Sequence, residues 1–233
     1  MFHCRQTLLR EILMTSATLH YIYDPLCGWC YGAAPLVQAA RAVLPVMAHG
    51  GGMMAGGNRQ KVSPQLRDMV MPHDRRIAEL TGQPFGSAYH DGLLRDHAAV
   101  FDSEPPIAAV LAADQLAARG LDLLERLQNA HYIEGRRIAD TAVLIECAEA
   151  IGLERDAFAA ALEDILKGPS SRAHINESRA FLTHVGGEGF PTFVVEFDDR
   201  LERIDIGPFH RRPEAWQSWL SRAVAVQTET QGH

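Results

Sequence analysis

The chain of 233 residues has little of several things, and each shortage excludes a class of protein. Its cysteines number only four, at positions 4, 27, 30 and 147, too few and too scattered for a disulfide-stapled scaffold. Basic residues are outnumbered: 22 Lys and Arg against 29 Asp and Glu give a net charge of −7, so there is no cationic excess to neutralise a nucleic acid. No uninterrupted apolar run approaches the roughly 18 residues that a membrane-spanning helix needs. At the N-terminus, Arg10 and Glu11 interrupt the stretch that a signal peptide would keep apolar, and no small-x-small cleavage site follows. The expectation is a cytoplasmic protein with no nucleic-acid and no membrane partner, for which Met14 stands as an alternative start of translation. With 47% hydrophobic and 22% charged residues, what remains is the composition of an ordinary globular protein.

Periodicity divides the chain. TLHYIYD (18–24) is rich in aromatic and β-branched residues and ends at Asp24-Pro25, as a buried strand does. From Cys27 or Cys30 onward Leu36, Val37, Ala40, Val43 and Leu44 fall on one helical stripe that Pro45 ends. VMAHGGGM (46–53) reads as a second strand, giving the spacing of a βαβ unit. The glycines at 50–52 and 56–57 have neither Gly-Lys-Ser/Thr nor G-x-G-x-x-G around them, so they read as a flexible turn rather than a phosphate cradle. From about Ser63 to about Arg179 the period is 3.6, with Ser63 as a helix cap, Pro64 at the first helical position and Gly82 as a stop. Alternating strands are not expected there. PTFVVEF (191–197) and RLERIDI (200–206) then read as a hairpin across Asp198-Asp199, and a helix beginning at Pro213 closes the chain.

Two features carry chemistry. The first is Cys27-Gly28-Trp29-Cys30, between the first strand and its helix. A lone C-x-x-C is half of a zinc site, but no H-x₃₋₅-H pair lies near a second cysteine, and Cys4 and Cys147 are isolated. If Cys27 starts the helix, Cys30 lies one turn further on the same face, within the span that a disulfide tolerates. Unpaired backbone N–H groups and the positive end of the helix dipole then favour the thiolate of the first cysteine, while the second is more buried. The expected roles are Cys27 as attacking thiol and Cys30 as resolving thiol. Gly28 permits close approach of another chain, Trp29 supplies an apolar wall, and Asp24 is expected to cap the helix. Tyr31, Met53, Met54 and Phe190 are further candidates for the groove, and Cys147 reads as a buried structural thiol. The second feature is GEGFPTFVV, a turn of the kind that holds a cis proline, here Pro191, with Phe190 offering backbone to an extended substrate and Thr192 opening a central strand.

Taken together, YDPLCGWCYG, GFPTFVV, the closing hairpin and helix, and helical stretches such as TGQPF and DSEPP resemble the DsbA-like branch of the thioredoxin superfamily, in particular its bacterial predicted protein-disulfide isomerases. The resemblance implies an α/β, thioredoxin-like fold with an inserted α-helical domain: 18–62 and 180–226 as the thioredoxin-like part, 63–179 as the insert, 1–17 as an extension and 227–233 as a tail. It implies thiol–disulfide exchange at Cys27 and Cys30, with Trp29, Phe190, Pro191 and Thr192 meeting a peptide or small-molecule disulfide. No metal and no resident cofactor are expected, glutathione being a thiol co-substrate, and the chain is expected as a monomer or homodimer. The alternative is a glutathione-dependent transferase of the kappa type or a hydroxychromene-carboxylate isomerase. Those related folds generally carry serine where Cys27 stands and need no resolving thiol.

Overall fold

The computed structural model describes residues 17–198 and 200–230. The expected extension up to residue 16, including Cys4 and Met14, lies outside the described residues, as does Asp199 of the hairpin turn. The four-stranded sheet has the order β2-β1-β5-β6. Its strands are β1 (Ala17–Tyr23), β2 (Val46–Gly50), β5 (Thr192–Phe197) and β6 (Arg200–Ile204). β1 pairs parallel with β2, Leu19 opposite Val46, and antiparallel with β5, Ile22 opposite Thr192. That register sets the end of β1 beside the start of β5, so the chain segments leaving the two strands meet at one end of the sheet. β5 and β6 form the hairpin, Phe193 opposite Ile204.

The single helix expected between β1 and β2 is two: α1 (Gly28–Gly32) and α2 (Ala34–Arg41). Pro35, in the first turn of α2, has no N–H to continue the α1 ladder, which accounts for the break at Ala33. Between β2 and β5 lie α3 (Pro64–Thr81), α4 (Glu104–Ala117), α5 (Gly120–Tyr132), α6 (Thr141–Ala150), α7 (Arg155–Lys167) and α8 (Ser170–His184). Ser63 caps α3 by accepting from Leu66 N at 3.2 Å, and Gly82 ends it at φ 80°, as the sequence implies.

Three details depart from the expectations. A two-stranded antiparallel sheet, β3 (Gln60–Lys61) with β4 (Val100–Phe101), interrupts the helical region; strands of two residues are too short to leave an alternating pattern. α8 runs on through position 179, without a break at the boundary expected there. The closing helix α9 (Pro213–Thr230) likewise continues past Val226, into the segment expected as a tail.

The residues of β1 alternate between two apolar layers. Leu19, Tyr21 and Tyr23 are buried, and Tyr21 packs on Phe193 with ring centroids 5.0 Å apart. Phe193 also meets fully buried Trp216 of α9, whose indole N–H donates to Leu36 O of α2 at 3.0 Å. The opposite side carries His20, which lies 3.0 Å from His49 Nε2 and 2.9 Å from Glu196 Oε2, with Phe181 of α8 over both imidazoles. Trp216 therefore fastens α9 and α2 to the sheet by both packing and a buried hydrogen bond. Trp216→Ala should cost about 3–5 kcal/mol, read as a lowered urea midpoint.

Candidate active site

Cys27 is the N-cap of α1: its backbone is extended (φ −89°, ψ 113°), and its carbonyl accepts the first helical bond from Tyr31 N at 3.1 Å. Cys30 lies one turn further in. The two differ as their positions require, Cys27 being 7% exposed and Cys30 0%, and both are free thiols. Burial pushes the Cys30 thiol well up, and hydrogen bonding with the Cys27 side chain adds to it. Asp24 N approaches Cys30 Sγ at 3.4 Å. The Cys27 thiol donates to Phe190 O at 3.3 Å, and the Phe190–Pro191 peptide bond is cis. Thus the β1–α1 junction and the turn before β5, remote in sequence, face one another.

Asp24 does not cap α1, since Cys27 itself occupies the cap, with no side-chain capping bond. Fully buried, its carboxylate instead gathers three donors from three segments. Oδ1 accepts from Leu26 N at 2.8 Å and from Ser103 Oγ at 3.0 Å, and Oδ2 accepts from Met53 N. Burial raises its pKa to about 6 against the opposing pull of these hydrogen bonds. Ser103 Oγ in turn accepts from Met54 N at 3.0 Å.

The glycine segment after β2 is a packed joint rather than a loose turn. The Arg179 guanidinium donates to the carbonyls of Gly51 and Gly52. Gly52 has φ 65°, and a methyl group on Gly51 would overlap the Phe190 ring, so both glycines are required where they stand. Gly28 and Gly32 do the same for α1 against α3: a methyl on either would meet Ile77 at 2.9 Å.

Between α1, α3 and the segments leading to and including α5 opens a cavity of about 310 Å³ beside Cys27. Trp29, Met53 and Met54 line it. The other expected residues stand elsewhere. Tyr31 is core: its hydroxyl donates to Pro84 O at 2.7 Å, and its ring stacks on Tyr132 at 4.8 Å. Phe190 and Pro191 are half-buried and adjoin Cys27 through the Phe190 carbonyl rather than through the cavity. The Thr192 hydroxyl is engaged by Gly189 O at 2.8 Å. Cys147 is buried in α6, where burial raises its pKa. Among the described residues no group of three or more His, Cys, Asp or Glu is arranged to hold a metal ion.

Comparison with known proteins agrees with this arrangement. The family described as DSBA-like thioredoxin domain matches residues 18–207. The chain belongs to that family. Among solved structures it is similar to the cytosolic disulfide reductase DsbM from Pseudomonas aeruginosa, with 52% identity over 90% of this chain and 99% of that one and a TM-score of 0.85. The same relative with GSH matches at 51% identity over 89% and 99% of the two chains, TM-score 0.82. A Nitrosomonas europaea protein described as a candidate protein disulfide isomerase shares the fold at 23% identity, 91% and 98% coverage and TM-score 0.73. No curated protein sequence matches at a significant level.

Within this DsbA-like chain, the sequence reading missed the polar groups of the cavity wall. Asp74 is 4% exposed on α3, where Leu66, Ile77 and Thr81 are also buried. A carboxylate on that stripe was the available signal. Its Oδ2 accepts from the Tyr89 hydroxyl at 3.2 Å, and burial raises its pKa to about 7. His131 of α5, 1% exposed, has its pKa lowered by burial to about 3. An acid whose folded pKa is raised loses stability as pH climbs from its unfolded value through its folded one. Asp74→Asn, which stays neutral, should therefore gain stability over the parent as pH rises from 4 to 8, by at most about 4 kcal/mol. Urea titrations across that range measure the difference; a pH-independent difference would contradict it.

Proposed function

We propose that this protein is a thiol–disulfide oxidoreductase that works as a disulfide reductase in the cytoplasm, using Cys27 and Cys30 as its redox pair. The observation that carries this reading is the position of Cys27: N-cap of α1, thiol on the Phe190 carbonyl, Cys30 buried one turn below. In the reaction, the Cys27 thiolate attacks one sulfur of a substrate disulfide and displaces the other as thiolate, which takes up a proton. The Cys30 sulfur, after losing its proton, then attacks Cys27 and releases the second substrate thiol. The substrate gains two electrons and two protons, and the protein is left with a Cys27–Cys30 disulfide. Two equivalents of a small thiol such as glutathione restore the dithiol. In this account Trp29 borders the reacting sulfur, and the backbone around Phe190, Pro191 and Thr192 aligns an extended substrate.

The burial of Cys30 supports the assignment of roles, because only Cys27 is open to an incoming disulfide. The cytosolic disulfide reductase that shares 52% identity supports both the direction and the compartment, and its structure with GSH supports a thiol co-substrate. A reducing thiol pool favours reduction over oxidation by such a pair. A glutathione transferase would have no use for a buried resolving thiol at position 30.

Trapping tests this directly. Cys30→Ser, incubated with a disulfide substrate, should accumulate a mixed disulfide at Cys27, seen as the mass of one substrate half, while Cys27→Ser accumulates none and falls to the uncatalysed rate. Retained turnover in Cys30→Ser would favour the transferase chemistry instead.

A further inference from the structure

The cavity beside Cys27 carries charge information that the redox reading does not use. Its wall is mostly thioether, aliphatic and aromatic side chains, among them Met53, Met54, Met69, Ile77 and Tyr132, and it includes no Lys or Arg. Methionines adapt their shape to varied apolar occupants, and Met69, 52% exposed, and Met53, 36% exposed, stand as uncovered apolar surface. Two buried polar groups break the apolar lining. Among the described residues Asp74 receives one hydrogen bond, from Tyr89, and makes no salt bridge. Its Oδ1 lies 3.2 Å from where a side-chain carbon on Gly28 would stand, which sets it beside the first residue of α1. Among the described residues His131 Nδ1 has no hydrogen-bond partner. A pocket that is mostly apolar with a few fixed polar groups is built to orient an occupant.

Resting on the redox reading, we propose that this cavity receives the arm attached to a sulfur of the substrate disulfide, and that Asp74 is a specificity-determining residue that selects neutral or cationic arms over carboxylate-bearing ones, the extended, carboxylate-bearing glutathione of the recycling step lying along the Phe190–Pro191 backbone instead. An anionic arm would leave water for a wall with no cation to receive it and would face a like charge. A neutral arm with a hydrogen-bond donor, or an ammonium group, would find an acceptor in the Asp74 carboxylate. Burial raises the Asp74 pKa to about 7, so the carboxylate is ionised at pH 8.

The test uses pre-reduced protein and three disulfides of similar size: cystamine, 2-hydroxyethyl disulfide and 3,3′-dithiodipropionate. Single-turnover rate constants at pH 8 come from acid quenching and the mass of protein still reduced. In Asp74→Asn the ratio of the dithiodipropionate to the cystamine rate constant should rise about tenfold over the parent, the order of one charge–charge interaction. Met69→Lys, a change at an exposed position, should raise the same ratio by placing a cation in the wall. Comparing each ratio with that of the parent removes the intrinsic reactivities of the disulfides. A ratio unmoved in Asp74→Asn overturns the role of Asp74, and one unmoved in Met69→Lys overturns occupancy of the cavity. If parent protein fails to reduce even 2-hydroxyethyl disulfide, the redox reading itself falls, and this inference with it.

Discussion

The structure turns on the buried carboxylate of Asp24. A carboxylate without water must be given donors, and this one is supplied from three places: Leu26 in the turn before Cys27, Met53 after the β2 glycines, and Ser103 before α4. Its own backbone N–H is directed to Cys30 Sγ. One side chain therefore joins the end of β1, the redox turn, the segment after β2 and the beginning of α4. Withdrawing any donor would leave part of a buried charge unmatched, at a cost of about 1–3 kcal/mol. That cost makes the relative placement of the three segments a single property rather than three.

From this knot the rest follows in order. With the end of β1 fixed, the antiparallel pairing with β5 brings Phe190 and Pro191 to Cys27. Arg179, holding the carbonyls of Gly51 and Gly52, adds α8 to the same joint, and Phe190 packs where only glycine fits at position 51. On the other flank, Gly28 and Gly32 let α3 lie close against α1, which brings Asp74 beside the redox turn. Two thiols a few residues apart thus experience different surroundings: one at the open end of a helix against a carbonyl and a cavity, the other enclosed. Thiol–disulfide exchange needs that difference, since one sulfur must meet the substrate and the other must wait.

Much of this was legible in the chain. Cys27 and Cys30 stood out because a β-branched run preceded them and a helical stripe followed, and Pro191 because Thr192 opened another apolar run. Pairing across the sheet then needed only the usual hairpin and crossover rules. What escaped had no local trace. The donors to Asp24 include Ser103 and Met53, whose nearness is a product of the fold. Asp74 left a trace, a charge on an apolar stripe, but its meaning depends on Tyr89, on His131 and on a cavity. Strands β3 and β4 are two residues each, below the length at which alternation says anything. The continuation of α8 was hidden because its sequence, SSRAHINESRAFLTH, is largely polar.

The central claim, that Cys27 and Cys30 form one two-electron couple, is tested most directly by equilibrating the protein in glutathione redox buffers and counting alkylatable thiols by mass at each potential. The account predicts that the thiols of Cys27 and Cys30 disappear together, with no added mass, over a transition whose slope corresponds to two electrons, while Cys147 stays reduced. Independent loss of the two thiols, or a stable glutathione adduct on Cys27 across the whole range, would contradict it.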